Sequence, residues 1–258
     1  MTLTLTVREP PPGRVDARGL EPERLRGLNA SAVAALEVRC RGQAVALGDL
    51  FEVTGAGVET DCLVLAGDLS RFDWVGAGMA SGEIEVRGDV GGWAGAGMSG
   101  GLLRIRGDAG PRLGGAYPGA RVGMTGGEIV VSGDAGEEAG AGLRRGLIAV
   151  GGRTGSGAGL RMLAGTVIAL GGIGAQAGLG NKRGSLVSGQ GVEPLPAYAF
   201  AARFQPPALR LQLRRIAELG LTVGEALVRG RWARWSGDRS ELTRGEILIF
   251  DDEEEVRE

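Results

Sequence analysis

A period of nineteen residues limits what this chain can fold into. Taking Gly82 as reference, equivalent glycines stand at Gly101, Gly127, Gly146, Gly165 and Gly184, so the steps are 19, 26, 19, 19 and 19. Two residues after each come Ile84, Leu103, Ile129, Ile148, Val167 and Leu186; four after come Val86, Ile105, Val131, Val150, Ala169 and Ser188. Three before lie Met79, Met98, Met124, Leu143, Met162 and Asn181. The shared pattern is GxGMxxGxIxVxGDxG, and a fixed period is the signature of stacked repeats. Of the 109 residues from Gly76 to Gly184, 35 are glycine, a content that invites comparison with collagen or disorder. Collagen fails because glycine does not recur at every third residue. The Ile/Val ladder opposes disorder.

The x-I-x-V-x segment alternates with period two, as a short strand does. Bracketing glycines permit positive φ at tight corners. One rung cannot bury its own Ile and Val, but stacked rungs place like residues above one another and complete each other's backbone hydrogen bonds. The chain is therefore expected to be mainly β, a right-handed β-helix (solenoid) of about eight 19-residue coils. They start at residues 42, 61, 82, 101, 127, 146, 165 and 184, in a prism roughly 35 Å long at ~4.8 Å per rung. The 26-residue step carries a seven-residue insertion, placed in GPRLGGAYPGARV (110–122) as a loop leaving the stack.

Three segments emerge from this register: 1–41, an N-terminal strand and cap; 42–191, the β-helix; and 192–258, a C-terminal helix and strand cover with an acidic tail. Leu3, Leu5 and Val7 alternate with threonines as a half-buried strand, and Pro10 to Pro12 end it. GLEPERLRGL (19–28) suits short helical turns, with Asn29 and Ser31 as caps for the next segment. At the other end ALRLQLRRIAELG (208–220) reads as a helix. Pro207 fits its first turn, Leu209, Leu213 and Ile216 share a face, and Gly220 fits the C-cap. GEALVRG suits a further helical turn, while RWARWSGD and GEILIF read as strands that cover the last open rungs. The run DDEEEVRE is a solvated acidic tail.

Composition narrows the chemistry. The chain has no histidine, which removes the commonest general base and metal ligand and every Ser/His or Cys/His pair. Cys40 and Cys62 are too few for a zinc site or a disulfide framework, and reduced, cytoplasmic thiols are expected. A net charge of −2 points to neither nucleic acid nor membrane. No signal peptide and no apolar run of about 20 residues is seen.

Gly95-Ala96-Gly97-Met98-Ser99-Gly100 matches G-x-G-x-x-G, but the same glycines recur at Gly76/Gly78, Gly140/Gly142 and Gly178/Gly180 with no helix between. They read as corners rather than as a dinucleotide loop. Asp49, Asp68, Asp89, Asp108 and Asp134 form a carboxylate column, read as turn formers bonding local backbone N–H groups. The methionines read as a core column. The Gly-Asp corner becomes Gly152-Arg153 and then Gly171-Gly172. Arg144, Arg145, Arg153, Arg161, Lys182 and Arg183 populate the later rungs and are the candidate contacts for an anionic ligand or a partner. The strands there, LIAV (147–150) and TVIAL (166–170), are apolar on both faces, so their outer side must be covered, by the C-terminal helix or by another subunit. No catalytic, cofactor-binding or metal-binding residue is singled out.

The repeated GAGM…GGxIxVxGDAG pattern resembles the GXGXG β-helix at the C-terminal end of glutamate synthase large subunits. With the TLTLT strand before it and RWARWSGDRSELTRGEILIF after it, the chain resembles more closely the C subunit of formylmethanofuran dehydrogenase and of the related formyltransferase/hydrolase complex. That ending is similar to the family's aromatic-x-GD…G-[KR]-G-E-I pattern, with Thr243-Arg244-Gly245-Glu246 in slightly altered form. The resemblance implies a non-catalytic scaffold subunit, with no cofactor bound by this chain alone. Its partners would be larger amidohydrolase-like, molybdopterin-enzyme-like or formyltransferase subunits, which carry the metals. The complex would move a formyl group from tetrahydromethanopterin to a methanofuran-like carrier and release formate, as in methylotrophic formaldehyde oxidation. The tungsten or molybdenum dehydrogenase is the alternative complex. A stand-alone glutamate-synthase-type β-helix, or a binder of a carrier with a polyglutamate tail, remains open beside it.

Overall fold

A computed structural model describes residues 2–55 and 61–251; most of the acidic run, from residue 252 on, lies outside them. The chain is mainly β, with a long parallel sheet and a C-terminal helix. Seven repeat strands lie side by side and parallel: Cys62–Ala66, Glu83–Arg87, Ser99–Ile105, Gly126–Val131, Leu147–Val150, Thr166–Ala169 and Ser185–Ser188. Their register follows the sequence period, so Leu63, Ile84, Leu103, Ile129, Ile148, Val167 and Leu186 form one column, each at most 1% exposed. A second parallel ladder of single bridges runs through Leu69, Val90, Ala109, Ala135, Thr154 and Ile173. A third line of backbone bonds joins Gly95 to Val75, Gly114 to Ala94, Gly140 to Leu113, Gly159 to Ala139 and Gly178 to Ala158. The chain thus bonds to its own next repeat on three sides, which satisfies the backbone of a sequence with few long strands. The methionine column Met79, Met98, Met124 and Met162 is buried inside.

Both ends are closed by strands that do not belong to the repeat. Leu3–Val7 pairs parallel with Cys62–Ala66 and sets Leu3 on the column above Leu63; Phe51–Thr54 then pairs antiparallel on its other edge. At the far end Gly245–Asp251 pairs parallel with Ser185–Ser188, placing Ile247 on Leu186. Arg231–Gly237 and Ala199–Phe204 follow in antiparallel order. The column is therefore nine residues deep, seven from the repeat and one from each flank.

The strand expected in the coil at Gly42 does not join this stack. Gln43–Ala46 pairs antiparallel with Glu37–Cys40 in a separate four-stranded sheet, where Cys40 faces Gln43. The two residues between them, Arg41 and Gly42, both have positive φ (52° and 83°). That is the two-residue hairpin turn whose twist matches the strands, so Gly42 closes a hairpin instead of a rung corner. Asp49 consequently leaves the carboxylate column and sits in the helical turn Leu47–Leu50. Asn29 caps Ala30–Ala34 as expected, its side chain accepting from Ala32 N–H at 2.8 Å.

The last rung is sealed by polar contacts. Asn181 occupies the methionine position, fully buried, and its amide both donates to the Gly184 carbonyl (2.9 Å) and accepts from the Gly184 N–H (2.7 Å). A Cβ on Gly245 would strike that amide at 2.6 Å, so the closing strand needs glycine there. Asp238, also fully buried, accepts from Ser240 N–H (2.8 Å), Ser240 Oγ (2.6 Å) and Gly180 N–H (3.1 Å). Burial raises its pKa, but the bonds from Ser240 and Gly180 outweigh this and hold the carboxyl below its usual range. Tyr198 donates its hydroxyl to the Gly178 carbonyl at 2.9 Å. Burial pushes its pKa up to about 12. The neutral phenol is thus favoured by folding, so its contribution is intact below pH ~10 and is lost as pH rises towards ~12. Urea titrations across that window should show stability falling by about 2–3 kcal/mol in the parent. In Tyr198→Phe this alkaline decline should be flattened.

Candidate functional site

The side chains that could carry chemistry fall on four surfaces. The first is the aspartate column. Asp89 Oδ1 accepts from Asp108 N–H, Asp108 Oδ1 from Asp134 N–H, and Asp134 Oδ1 from Arg153 N–H, at 2.8, 2.8 and 2.7 Å. Each carboxylate is bonded to the next rung, where the sequence pattern had pointed to a local turn bond. Of the column only Asp68 behaves locally, accepting from Ser70 N–H at 2.8 Å; bonding with the Ser70 side chain, and then this backbone bond, lower its pKa. The column ends at Arg153 because its own side chain offers no acceptor to the rung above. These aspartates hold rungs together, and among the described residues no group of three or more His, Cys, Asp or Glu is placed to hold a metal ion.

The second surface carries the cations singled out from sequence, and the structure separates them. Arg144 and Arg145 precede the strand Leu147–Val150, whereas Arg153 follows it. Lys182 and Arg183 precede Ser185–Ser188, two rungs further along; the intervening rung has Leu163 and Ala164 at that corner. Arg161 lies one corner earlier still, at positive φ. Lys182 faces Glu241 at 3.6 Å. Arg144, Arg145 and Arg183 are exposed on one corner, so they form a short row; Arg153 and Arg161 do not join it.

The third surface is an aromatic corner. Trp74 and Trp93 occupy the same repeat position, nineteen residues apart, and stack with ring centroids 4.9 Å apart. Tyr117, from the inserted loop, stacks on Trp74 at 5.4 Å. The guanidinium of Arg18 lies 5.4 Å from the Trp74 ring centre and that of Arg112 lies 5.5 Å from Trp93. Arg112 continues the column and pairs with Glu138 at 2.9 Å. The insertion thus folds back along the stack instead of leaving it; Gly97 makes room, since a Cβ there would meet the Tyr117 ring. Trp74, Trp93, Arg112 and Glu138, which share one repeat position, all have positive φ, a conformation that costs a side-chain-bearing residue energy; stacking favours it at the two tryptophans and the Arg112–Glu138 pair at the other two. These contacts tie the inserted loop to the corner. A repeated Trp at nineteen-residue spacing was the sequence signal for it.

The fourth surface is the outer side of the long sheet. The helix Pro207–Glu218 lies across its later rungs with Leu209, Leu213 and Ile216 down, on Val130, Ala149, Ile168, Val187 and Leu248. This second core explains strands apolar on both faces, and it settles the choice between helix and foreign subunit in favour of the helix. Gln212 donates to Thr166 Oγ1 (3.1 Å) and Arg215 forks onto Glu128 (2.7 and 3.1 Å). The early rungs, beyond the end of the helix, carry a charge lattice instead: Arg104 to Glu83 (3.1 Å), Arg106 to Glu85 (3.0 Å). Burial, with Glu83 and Glu85 nearby, pushes the Cys62 thiol up, away from a reactive thiolate. The glycines of the G-x-G-x-x-G match sit at corners, Gly95 and Gly97 both at φ 65°, followed by a strand and no helix. Among the described residues no helix is long and apolar enough to cross a membrane.

No protein-family model matches the chain. Among curated proteins, it is 39% identical over 88 residues to the C subunit of the formyltransferase/hydrolase complex Fhc of Methylorubrum extorquens. That match covers 34% of this chain and 32% of that protein. It is 32% identical over 77 residues to the C subunit of the molybdenum-containing formylmethanofuran dehydrogenase 1 of Methanothermobacter marburgensis, covering 30% of this chain and 19% of that protein. The matches thus span a third or less of the curated relatives' length. A solved chain from the formyltransferase/hydrolase complex (FhcABCD) of Methylorubrum extorquens, in complex with methylofuran, superimposes with a TM-score of 0.81 at 33% identity. It covers 95% of this chain and 98% of its own.

Proposed function

Because this chain belongs to the C-subunit family of formyltransferase/hydrolase and formylmethanofuran dehydrogenase complexes, we propose that it is the scaffold subunit of such a complex. In this reading it is a right-handed β-helix that carries no catalytic group of its own. Its partners transfer a formyl group between tetrahydromethanopterin and a methanofuran-like carrier and release formate. The observation that carries the reading is the whole-length likeness to a chain of the FhcABCD complex. The build of the molecule supports it: the carboxylates of its main column are bonded to backbone N–H groups, and both stack ends are closed by the chain's own strands. The hydrolytic complex is favoured over the redox one by the higher identity to the Methylorubrum protein, 39% against 32%. The exposed row Arg144, Arg145 and Arg183 serves in this reading as a partner or carrier contact, with Lys182 beside it; Arg153 and Arg161, at other corners, would make separate contacts.

Affinity purification of the tagged full chain from its own cells should recover larger partner subunits in fixed ratio, with formyl transfer and formate release in the recovered complex and none in the chain alone. Recovery of the chain alone, or full activity of the isolated chain, would overturn the reading. Tungsten or molybdenum with a pterin in the complex would replace the hydrolytic version by the redox one.

A further inference from the structure

We propose that an arginine cleft beside the C-terminal helix docks an extended, carboxylate-rich segment of a partner subunit. The cleft, about 390 Å³ and open to solvent, is lined by Gln205, Arg210, Arg214, Val228 and Arg229. It opens along one flank of the helix, at the edge of the second core, against which Val228 also packs. Gln205 Nε2 donates to the Arg229 carbonyl (2.7 Å) and Arg210 Nε to the Val228 carbonyl (3.3 Å). These bonds tie the helix Pro207–Glu218 to the helical turn Glu225–Arg229 and fix the walls. Arg229 pairs with Glu225, both on the surface. Arg210 and Arg214 have no ion pair among the described residues, so three guanidinium groups share one local carboxylate. Beside them Leu211 is 66% exposed, the most exposed large apolar side chain described.

Spacing selects the ligand. Arg210 and Arg214 stand one turn apart on the helix, about 6 Å along its axis. Alternate side chains of an extended strand stand about 6.6 Å apart on one face. Acidic residues at every second position therefore meet successive arginines, each able to take a carboxylate by a two-pronged, charge-assisted bond. The intervening side chains of such a segment face away from the helix, so recognition rests on the alternate acidic positions and on an extended backbone. A single phosphate would engage one or two of these groups and leave the length of the cleft unused. The adjoining strand Ala199–Phe204 is the outer edge of the sheet, but its register slips between Phe200 and Ala202. Such a bulge blunts pairing, so recognition falls to the side chains of the cleft. That the segment belongs to a partner subunit rests on the scaffold reading; the chemistry of the cleft does not.

The test uses the full-length chain and a fluorescein-labelled octapeptide alternating Glu and Ser. Binding should be measurable at about 50 mM NaCl and weaken steeply by about 200 mM. Arg214→Glu removes no ion pair of the described chain, so the variant should fold as the parent does and bind about tenfold more weakly. A block octapeptide with four Glu followed by four Ser, equal in charge, should bind more weakly than the alternating one. Equal binding by the parent and Arg214→Glu would overturn the site. Equal binding of the two peptides, or displacement by inorganic phosphate at the same concentration as peptide, would overturn the extended acidic segment as its ligand. Binding seen only after the chain is shortened to end at Asp251 would assign the cleft to the chain's own acidic residues, against a partner. Loss of peptide binding with unchanged copurification of subunits would sink this inference alone and leave the scaffold reading standing.

Discussion

Trp232→Ala is expected to lower the stability of the chain by roughly 3–5 kcal/mol, the range for emptying a buried aromatic site. Trp232 is 1% exposed and belongs to the second core with Leu209, Leu213, Ile216 and Leu248. Its ring meets Phe250 edge-on at 5.4 Å, and its Nε1 donates to the Leu227 carbonyl at 3.3 Å. The substitution therefore leaves a cavity, removes an aromatic pair and strips a donor from a shielded carbonyl. All three losses fall where the helix is held on the sheet. Urea unfolding should show the loss as a lower midpoint, together with binding of a hydrophobic dye to the uncovered face of Ile168, Val187 and Leu248. Trp232→Phe should recover more than half of the loss. A midpoint within the error of the parent would show that the helix is not anchored through this residue.

Gly133→Ala should cost about 3 kcal/mol, near the top of the usual range for overpacking. Gly133 precedes Asp134, and a Cβ there would fall on the carboxylate oxygen of Asp108, which already accepts from Asp134 N–H at 2.8 Å. The Gly107 carbonyl oxygen closes the other side at 2.9 Å. The same relation repeats at Gly107 against Asp89 and at Gly152 against Asp134. The Gly-Asp pair is thus one device: the glycine of each rung yields space to the aspartate of the rung before. Asp108→Ala should by itself cost about 1 kcal/mol through the lost bond. The double variant Asp108→Ala/Gly133→Ala should be more stable than the sum of the singles by at least about 1 kcal/mol, because the severer clash, with the carboxylate, is gone and only the Gly107 carbonyl contact remains. Strict additivity in thermal or urea unfolding would refute the steric coupling.

Much of this could be read from the chain itself. The nineteen-residue register from Asp61 to Gly184 set which residues share a column, and the parallel pairing reproduces it from Leu63 to Leu186. The helix over 208–220 and its buried face were also legible, because Leu209, Leu213 and Ile216 recur at helical spacing. Gly42 misled because a glycine followed by alternating small apolar residues looks alike in a rung corner and in a two-residue hairpin; the difference lies in Arg41 also taking positive φ. The cations were legible as residues but not as a surface. Whether Arg144 and Arg153 meet depends on which end of a strand each occupies, and a four-residue strand holds them apart. The arginine cleft was invisible for the opposite reason: Gln205, Arg210 and Arg229 come together only when the helical turn Glu225–Arg229 folds back on the helix.

By itself the sequence determined the repeat, the identity of the buried columns and the family, because a stacked fold repeats one local rule and writes it into every rung. Only the tertiary structure decided how the stack ends. Closing an open rung requires strands from outside the repeat, and their placement is set by long-range pairing: Leu3 on Leu63 at one end, Ile247 on Leu186 at the other. No period announces those contacts, since each is made once.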